Sequence, residues 1–262
     1  MFGVADDAFE ARGGQPFARP IIKERIMTQH VLIIGGSAGI GLASARLLLS
    51  RDYRVTIAGR DAGRLEAARK TLDGAAALAM DAADTAALPD AFRRCGPIDH
   101  LVLALGSNKG GGMFAQANLE QVRQGFEEKV YPHFACAQAA LPHLAKNGSI
   151  TFLSAVSAQA ALRGTAGLAA ANAAVAALAP VLASELRPLR VNAVSPGVVD
   201  THWWDFLPTD ARADLFAGFA AATPAGRIGL VEDIADAVAF LIGNSFITGQ
   251  VLICDGGIRL GA

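Results

Sequence analysis

Seven residues early in the chain, Gly35-Gly36-Ser37-Ala38-Gly39-Ile40-Gly41, have the types and spacing to hold a phosphate. Gly35, Gly39 and Gly41 form G-x-x-x-G-x-G. Such glycines permit a tight turn and let the backbone approach a pyrophosphate at a helix N-terminus, with Ser37 and Ile40 inside the turn. A glycine trio alone is weak evidence, but this one lies between an apolar run and a helical segment, the context a dinucleotide site requires. The next apolar run ends Ala58-Gly59-Arg60-Asp61. An acid there would accept hydrogen bonds from a ribose 2′-hydroxyl, whereas an arginine would pair with a 2′-phosphate. Arg60 precedes any acid, which favours NADP(H) over NAD(H). Asp61 remains open as a competitor for the ribose or as the cap of the next helix.

Groups for proton transfer are scarce. The tyrosines are Tyr53 and Tyr131, the lysines Lys23, Lys70, Lys109, Lys129 and Lys146, so no tyrosine or lysine follows residue 146. Cys95, Cys136 and Cys254 lie far apart without metal-ligand spacing, which predicts no metal and buried thiols in a reducing, cytoplasmic setting. Net charge is −1 and the basic residues are scattered, which excludes a nucleic-acid footprint.

The elements that must position these groups alternate. Short apolar runs at His30–Ile34, Arg54–Ala58, Ala76–Met80, His100–Leu105, Ser149–Ser154, Arg190–Ser195 and Gln250–Cys254 read as buried parallel strands. Helical segments fall at 39–50, 62–72, 84–94, 116–145, 165–187 and 231–243. This alternation predicts an α/β chain with one Rossmann-type, doubly wound parallel sheet of about seven strands and helices on both faces. Residues 1–26 lack periodicity and read either as an N-terminal extension or as an over-long start before Met27, leaving 27–262 as the single domain. The uncharged stretch Ala166–Ala183 is long enough to cross a bilayer, but Asn172 and Pro180 interrupt it, so a buried or subunit-interface helix is expected and no membrane. Between Thr201 and Gly229 an irregular segment with Trp203, Trp204, Phe206, Phe216 and Phe219 reads either as a lid or substrate wall, or as a surface hairpin or interface patch.

From residue 29 to about 258 the chain resembles the short-chain dehydrogenase/reductase family. Beyond the glycine turn, the resemblance rests on Asp81 after the third strand, Asp99-His100-Leu101-Val102, Val191-Asn192-Ala193-Val194-Ser195-Pro196-Gly197 and Thr248-Gly249-Gln250 through Asp255-Gly256-Gly257. It implies Asp81 against an adenine, Pro196 and Gly197 below a nicotinamide, and Thr201 toward its carboxamide. The family's proton-transfer set is replaced throughout. Its serine position falls on Ala155, its tyrosine on Leu168, its lysine on Asn172, and its asparagine, which anchors a relay water, on Lys129. The family's usual mechanism is therefore expected to be absent. Substitute donors are Lys129, were desolvation to lower its pKa, then Ser157 and His202. The bland alternatives are a surface lysine and solvated loop residues. Asn172 retains the capacity to hold the nicotinamide ribose.

Two functions remain open at this point. The first is an NADP(H)-dependent oxidoreductase acting on a carbonyl/alcohol pair or an activated double bond through a non-standard proton donor. The second is a catalytically silent dinucleotide-binding or assembly subunit. Non-redox lyase or isomerase chemistry through Lys129 is a third, weaker reading. The expected partners are a small-molecule substrate, of apolar character if the aromatic segment walls the site, and further copies of the chain as a dimer or tetramer.

Overall fold

A computed structural model describes residues 28–261; residues 1–27, including the segment 1–26 read as an extension or over-long start, and residue 262 lie outside it. Seven strands and eight α-helices follow in order: β1 His30–Ile34, α1 Gly39–Ser50, β2 Arg54–Gly59, α2 Ala62–Lys70, β3 Ala76–Ala79, α3 Leu88–Cys95, β4 Ile98–Leu103, α4 Leu119–Gly125, α5 Tyr131–Ala140, β5 Leu144–Leu153, α6 Ala166–Glu185, β6 Arg190–Pro196, α7 Thr209–Ala222, α8 Val231–Gly243 and β7 Val251–Cys254. The strands form one parallel sheet in the order β3-β2-β1-β4-β5-β6-β7. The sequence reversal between β1 and β4 is the switch point where doubly wound sheets bind ligands.

Alternation along each strand distributes the core between two faces. Leu32, Ile34, Leu101, Leu103, Ile150 and Phe152 pack with Phe92, Cys136, Val175 and Ala179 from α3, α5 and α6. Val31, Ile33, Val55, Ile57, Val102 and Val194 pack with Leu48, Leu65, Val238 and Leu241 from α1, α2 and α8. Both faces are covered, which is why the strands read as unbroken apolar runs. Truncating Ile33, which is fully buried, to alanine would cost about 2–5 kcal/mol.

The helix expected over 116–145 is a continuous helical run over 119–143 that changes type along its length. Asn118 caps α4 by accepting from the backbone N–H groups of Glu120 and Gln121. A π-helical turn, Phe126–Val130, then joins α4 to α5. Pro132 in the first turn of α5 has no N–H to donate and its ring crowds the carbonyl of Glu128, which breaks the ladder there. Pro142 ends the helical run in a short 3₁₀ turn, Leu141–His143, and β5 starts at Leu144 rather than Ser149. Helix α3 begins at Leu88 rather than 84, and β4 spans Ile98–Leu103 rather than His100–Leu105. Helix α6, with mean hydropathy 1.8, lies on the sheet with Val175 and Ala179 fully buried. The segment read as irregular over Thr201–Gly229 contains α7.

Candidate active site

The glycine turn follows β1 at the carboxyl edge of the sheet. Gly35 has φ +85°, and a Cβ on it would lie 2.4 Å from the Ala104 carbonyl oxygen after β4. A Cβ on Gly41 would lie 2.2 Å from the Gly35 carbonyl oxygen, so α1 meets the turn with no room for a side chain. The result is a bare backbone cradle at a helix N-terminus. Thr201, after β6, closes its far side: Thr201 Cγ2 lies 3.5 Å from where a Cβ on Gly39 would be. A cleft of about 360 Å³ opens here, lined by Gly39, Arg46, Asp200, Thr201, His202 and Arg212 among others.

At the end of β2 the ambiguity over Asp61 resolves. Its side chain accepts from the backbone N–H of Arg64 at 2.9 Å and caps α2. Arg60 is exposed and has no ion-pair partner among the described residues. Ser37 faces this point, its Oγ lying 3.6 Å from where a Cβ on Gly59 would be. Asp81 stands on the adjacent strand end, exposed, with Oδ1 accepting from the Ala83 N–H. Beyond β6, Gly197 N–H donates to the Cys254 carbonyl at 2.9 Å, and a Cβ on Gly197 would lie 2.7 Å from Asp255 Cα. Thr201 Oγ1 accepts from Trp203 N–H at 3.3 Å, which leaves the hydroxyl hydrogen free to donate.

The positions expected to carry proton transfer gather where β5 ends and α6 begins. Ala155 follows the buried Ser154, and Leu168 lies in the first turn of α6 against Gly111, its Cδ1 lying 3.7 Å from where a Cβ on Gly111 would be. Neither offers a donor. Ser154 faces away from solvent, its hydroxyl donating to the Asn172 carbonyl at 2.8 Å. Asn172 is buried; its Nδ2 donates to Ser157 Oγ at 3.0 Å, and its Oδ1 has no partner among the described residues. Because Ser157 accepts that bond, its own hydrogen is available to a ligand. The amide therefore presents a buried, unused acceptor and the serine an unused donor.

Lys129, on the π-helical turn, is buried and not a surface lysine. Its Nζ donates to the Ser154 carbonyl at 3.3 Å, one residue before Ala155. No carboxylate pairs with it among the described residues, and burial alone pushes its pKa down from 10.5 to about 8. His133, one turn on, lies between two backbone carbonyls, with Nδ1 2.7 Å from Lys129 O and Nε2 3.1 Å from Leu103 O. Burial and then the Lys129 charge hold it down to about 3, so it is neutral at pH 7 and is no acid. His202, by contrast, is exposed at the mouth of the cleft.

The structure thus brings Gly35, Ser37, Gly39, Ile40, Gly41 and Thr201 to one end of the site, Arg60 and Asp81 to the ends of β2 and β3, and Lys129, Ser157 and Asn172 to the other end. The sequence reading missed Asp200, Asp205 and Arg212. Arg212 bridges both aspartates from α7, an arrangement no periodicity signals. It also missed the contact from Trp203 Nε1 to the Ser107 carbonyl at 2.8 Å, which ties the loop after β6 to the loop after β4.

This sheet, turn and strand-end arrangement is that of a nucleotide-dependent α/β oxidoreductase. The sequence profile described as enoyl-(acyl carrier protein) reductase matches residues 35–259. The chain is 30% identical over 255 residues to the short-chain dehydrogenase/reductase ATR9 of Stachybotrys chlorohalonatus, covering 90% of this chain and 98% of the relative. It is 31% identical to the 3-oxoacyl-[acyl-carrier-protein] reductase of Bos taurus, covering 89% and 99%. A crystal structure of a small-chain dehydrogenase in complex with NADPH superposes with a TM-score of 0.80 at 31% identity, covering 90% of this chain and all of that one. The protein belongs to the short-chain dehydrogenase/reductase family, a family of oxidoreductases that bind a nicotinamide dinucleotide.

Proposed function

We propose that the protein is an NADP(H)-dependent oxidoreductase acting on a carbonyl/alcohol pair or an activated double bond, with Lys129 in place of the family's tyrosine as the proton donor. The observation that carries this reading is the Lys129 ammonium, buried without a counter-charge beside the end of β5 and acidified to about 8. A neighbouring structure is described as bound to NADPH, which supports the choice of phosphorylated cofactor together with a free Arg60.

The residues present fit the cofactor. Gly35, Ser37, Gly39, Ile40 and Gly41 would hold its pyrophosphate, and Arg60 with Ser37 its 2′-phosphate. Asp81 would face the adenine and Asn172 Oδ1 a ribose hydroxyl, with Thr201, Pro196 and Gly197 around the nicotinamide. Bound there, the nicotinamide would supply or accept hydride. The chain's own part is to orient the substrate and move a proton. Ser157 Oγ–H donates to the substrate oxygen and polarises it. Lys129 Nζ–H gives up a proton as negative charge develops, which a group with a pKa near 8 does far more readily than an ordinary lysine. In the reverse direction the neutral amine accepts that proton. Trp203 and Phe206, in edge-to-face contact at 5.4 Å, favour an apolar substrate. His202 is left at the rim as a contact for the cofactor or the substrate.

Incubation with NADPH and a broad panel of aldehydes, ketones and enones, followed by NADPH absorbance, tests the assignment. Turnover above a cofactor-only blank is expected. Ala155 and Leu168 favour a second reading, in which the chain binds the dinucleotide but does no chemistry. Tight NADPH binding with no turnover across the panel would select that reading.

A further inference from the structure

The loop between β6 and α7 carries Thr201, His202 and Trp203; Trp203 and Trp204 pin it to the Ser107 and Val199 carbonyls, and Arg212 joins its two ends. The guanidinium of Arg212, on α7, reaches back over the loop and pairs with Asp200 and, at 3.1 Å, with Asp205. It donates a third bond to the Thr201 carbonyl at 3.3 Å, and its charge sits 5.3 Å over the Phe216 ring. The guanidinium fork thus engages the loop at its start, through Asp200 and Thr201, and at its end, through Asp205. The Arg212 side chain is only 26% exposed, whereas surface arginines such as Arg93 reach 73%.

The loop held in this way is a wall of the cleft beside the start of α1. Asp200, Thr201, His202, Asp205 and Arg212 line one side, and Gly39, Leu42 and Arg46 of α1 the other. Thr201 rests on the glycine turn, and Trp203 crosses to the Ser107 carbonyl. A dinucleotide on the turn would abut this loop at Thr201. We infer that Arg212 is a positioning residue that latches the 200–205 loop over the glycine turn and sets the residence time of the bound dinucleotide. The inference rests on the cofactor reading above. It also assigns Asp200 and Asp205 a role: they are the acceptors that make the latch two-pronged. A lysine has a compact point charge and no planar fork, so it spans two separated carboxylates and a carbonyl less well than a guanidinium.

The test is NADPH release, measured by stopped-flow fluorescence after displacement with excess NADP⁺, for wild type, R212K and R212M, with thermal unfolding of each. Loss of two charge-assisted bonds between partly exposed groups predicts release about tenfold faster in R212M. R212K should be intermediate, despite its retained charge. Backbone hydrogen exchange should rise across 200–205 in both variants and stay unchanged in the β1–α1 turn. If R212M does not fold, R212K alone decides. A variant that is less thermostable but releases NADPH within twofold of the wild-type rate overturns the latch and leaves the cofactor reading intact. Wild-type protein that binds neither NADPH nor NADH overturns the cofactor reading and the latch with it.

Discussion

Replacing Lys129 with methionine should move activity and stability in opposite directions. Methionine keeps the length and flexibility of the side chain and removes the amine. The ammonium is buried with a single hydrogen bond, to the Ser154 carbonyl at 3.3 Å, and its pKa falls from 10.5 to about 8. At about 1.36 kcal/mol per pH unit, that fall means the fold bears roughly 3 kcal/mol to keep the lysine charged at pH 7. Between pH 8 and 10.5 the unfolded chain holds a proton that the native one has released, so wild-type stability should rise with pH through this window. K129M should lack that rise and should gain up to about 3 kcal/mol at pH 7 in urea unfolding. Turnover should fall by roughly 10²–10⁴-fold, the usual worth of a positioned proton donor, with NADPH affinity unchanged. In wild type, carbonyl reduction should decline as pH rises through about 8, and alcohol oxidation should increase. Wild-type turnover in K129M, or a reduction rate flat across pH 8, would refute Lys129 as the donor. Unchanged stability would refute its burial as a free ammonium.

Three further outcomes follow from particular residues. R60E should weaken NADPH binding by about ten- to hundredfold, the worth of a charge-assisted bond, and change NADH affinity far less; fluorescence titration with both nucleotides checks this. G41A puts a Cβ 2.2 Å from the Gly35 carbonyl oxygen, so α1 must shift off the turn; loss of NADPH binding is expected, and titration with intact affinity would mean the turn is not the phosphate site. At the other edge of the sheet, burial holds His100 down to about 4, and its Nε2 has no partner among the described residues. Between pH 6.5 and 4 the unfolded chain binds a proton there that the native chain refuses, so stability should drop as pH falls through that window, by roughly 3 kcal/mol from this residue. An H100N variant should flatten the drop in urea unfolding.

The architecture was legible because buried parallel strands are apolar on both faces, and runs such as Val31–Ile34 need no tertiary information to be recognised. The glycine turn was legible for a similar reason: its glycines answer to local backbone geometry. Within the long helix read over 116–145, apolar periodicity gave no sign of the π-helical turn at Phe126–Val130, and it outweighed Pro142, which ends the run. Lys129 was harder. A lysine on a helix is read as exposed until something covers it, and its cover comes from the Ser154 carbonyl and the start of α6, elements distant in sequence. Asp61 stayed ambiguous for want of one hydrogen bond, the one from Arg64 N–H. Arg212 had no local signal, because its partners become neighbours only when the loop after β6 folds back on α7.

The energetics of Lys129 bear on the choice between an enzyme and a silent binder. A chain that only had to hold a dinucleotide would be better served at this position by methionine or leucine, which would fill the same space without a buried charge. The ammonium is also not a structural tie: among the described residues its one bond goes to a carbonyl, and no carboxylate offsets its desolvation. Groups that cost stability and contribute no packing cluster at functional sites, because function is what retains them. The same logic runs the other way at Leu168, which sits against Gly111 where it contributes packing and no chemistry. The two substitutions are compatible in one mechanism only if the proton enters from the α4–α5 side of the site rather than from α6. A K129M variant that is both more stable and inactive would establish that direction, and one that is more stable and fully active would leave dinucleotide binding as the purpose of the fold.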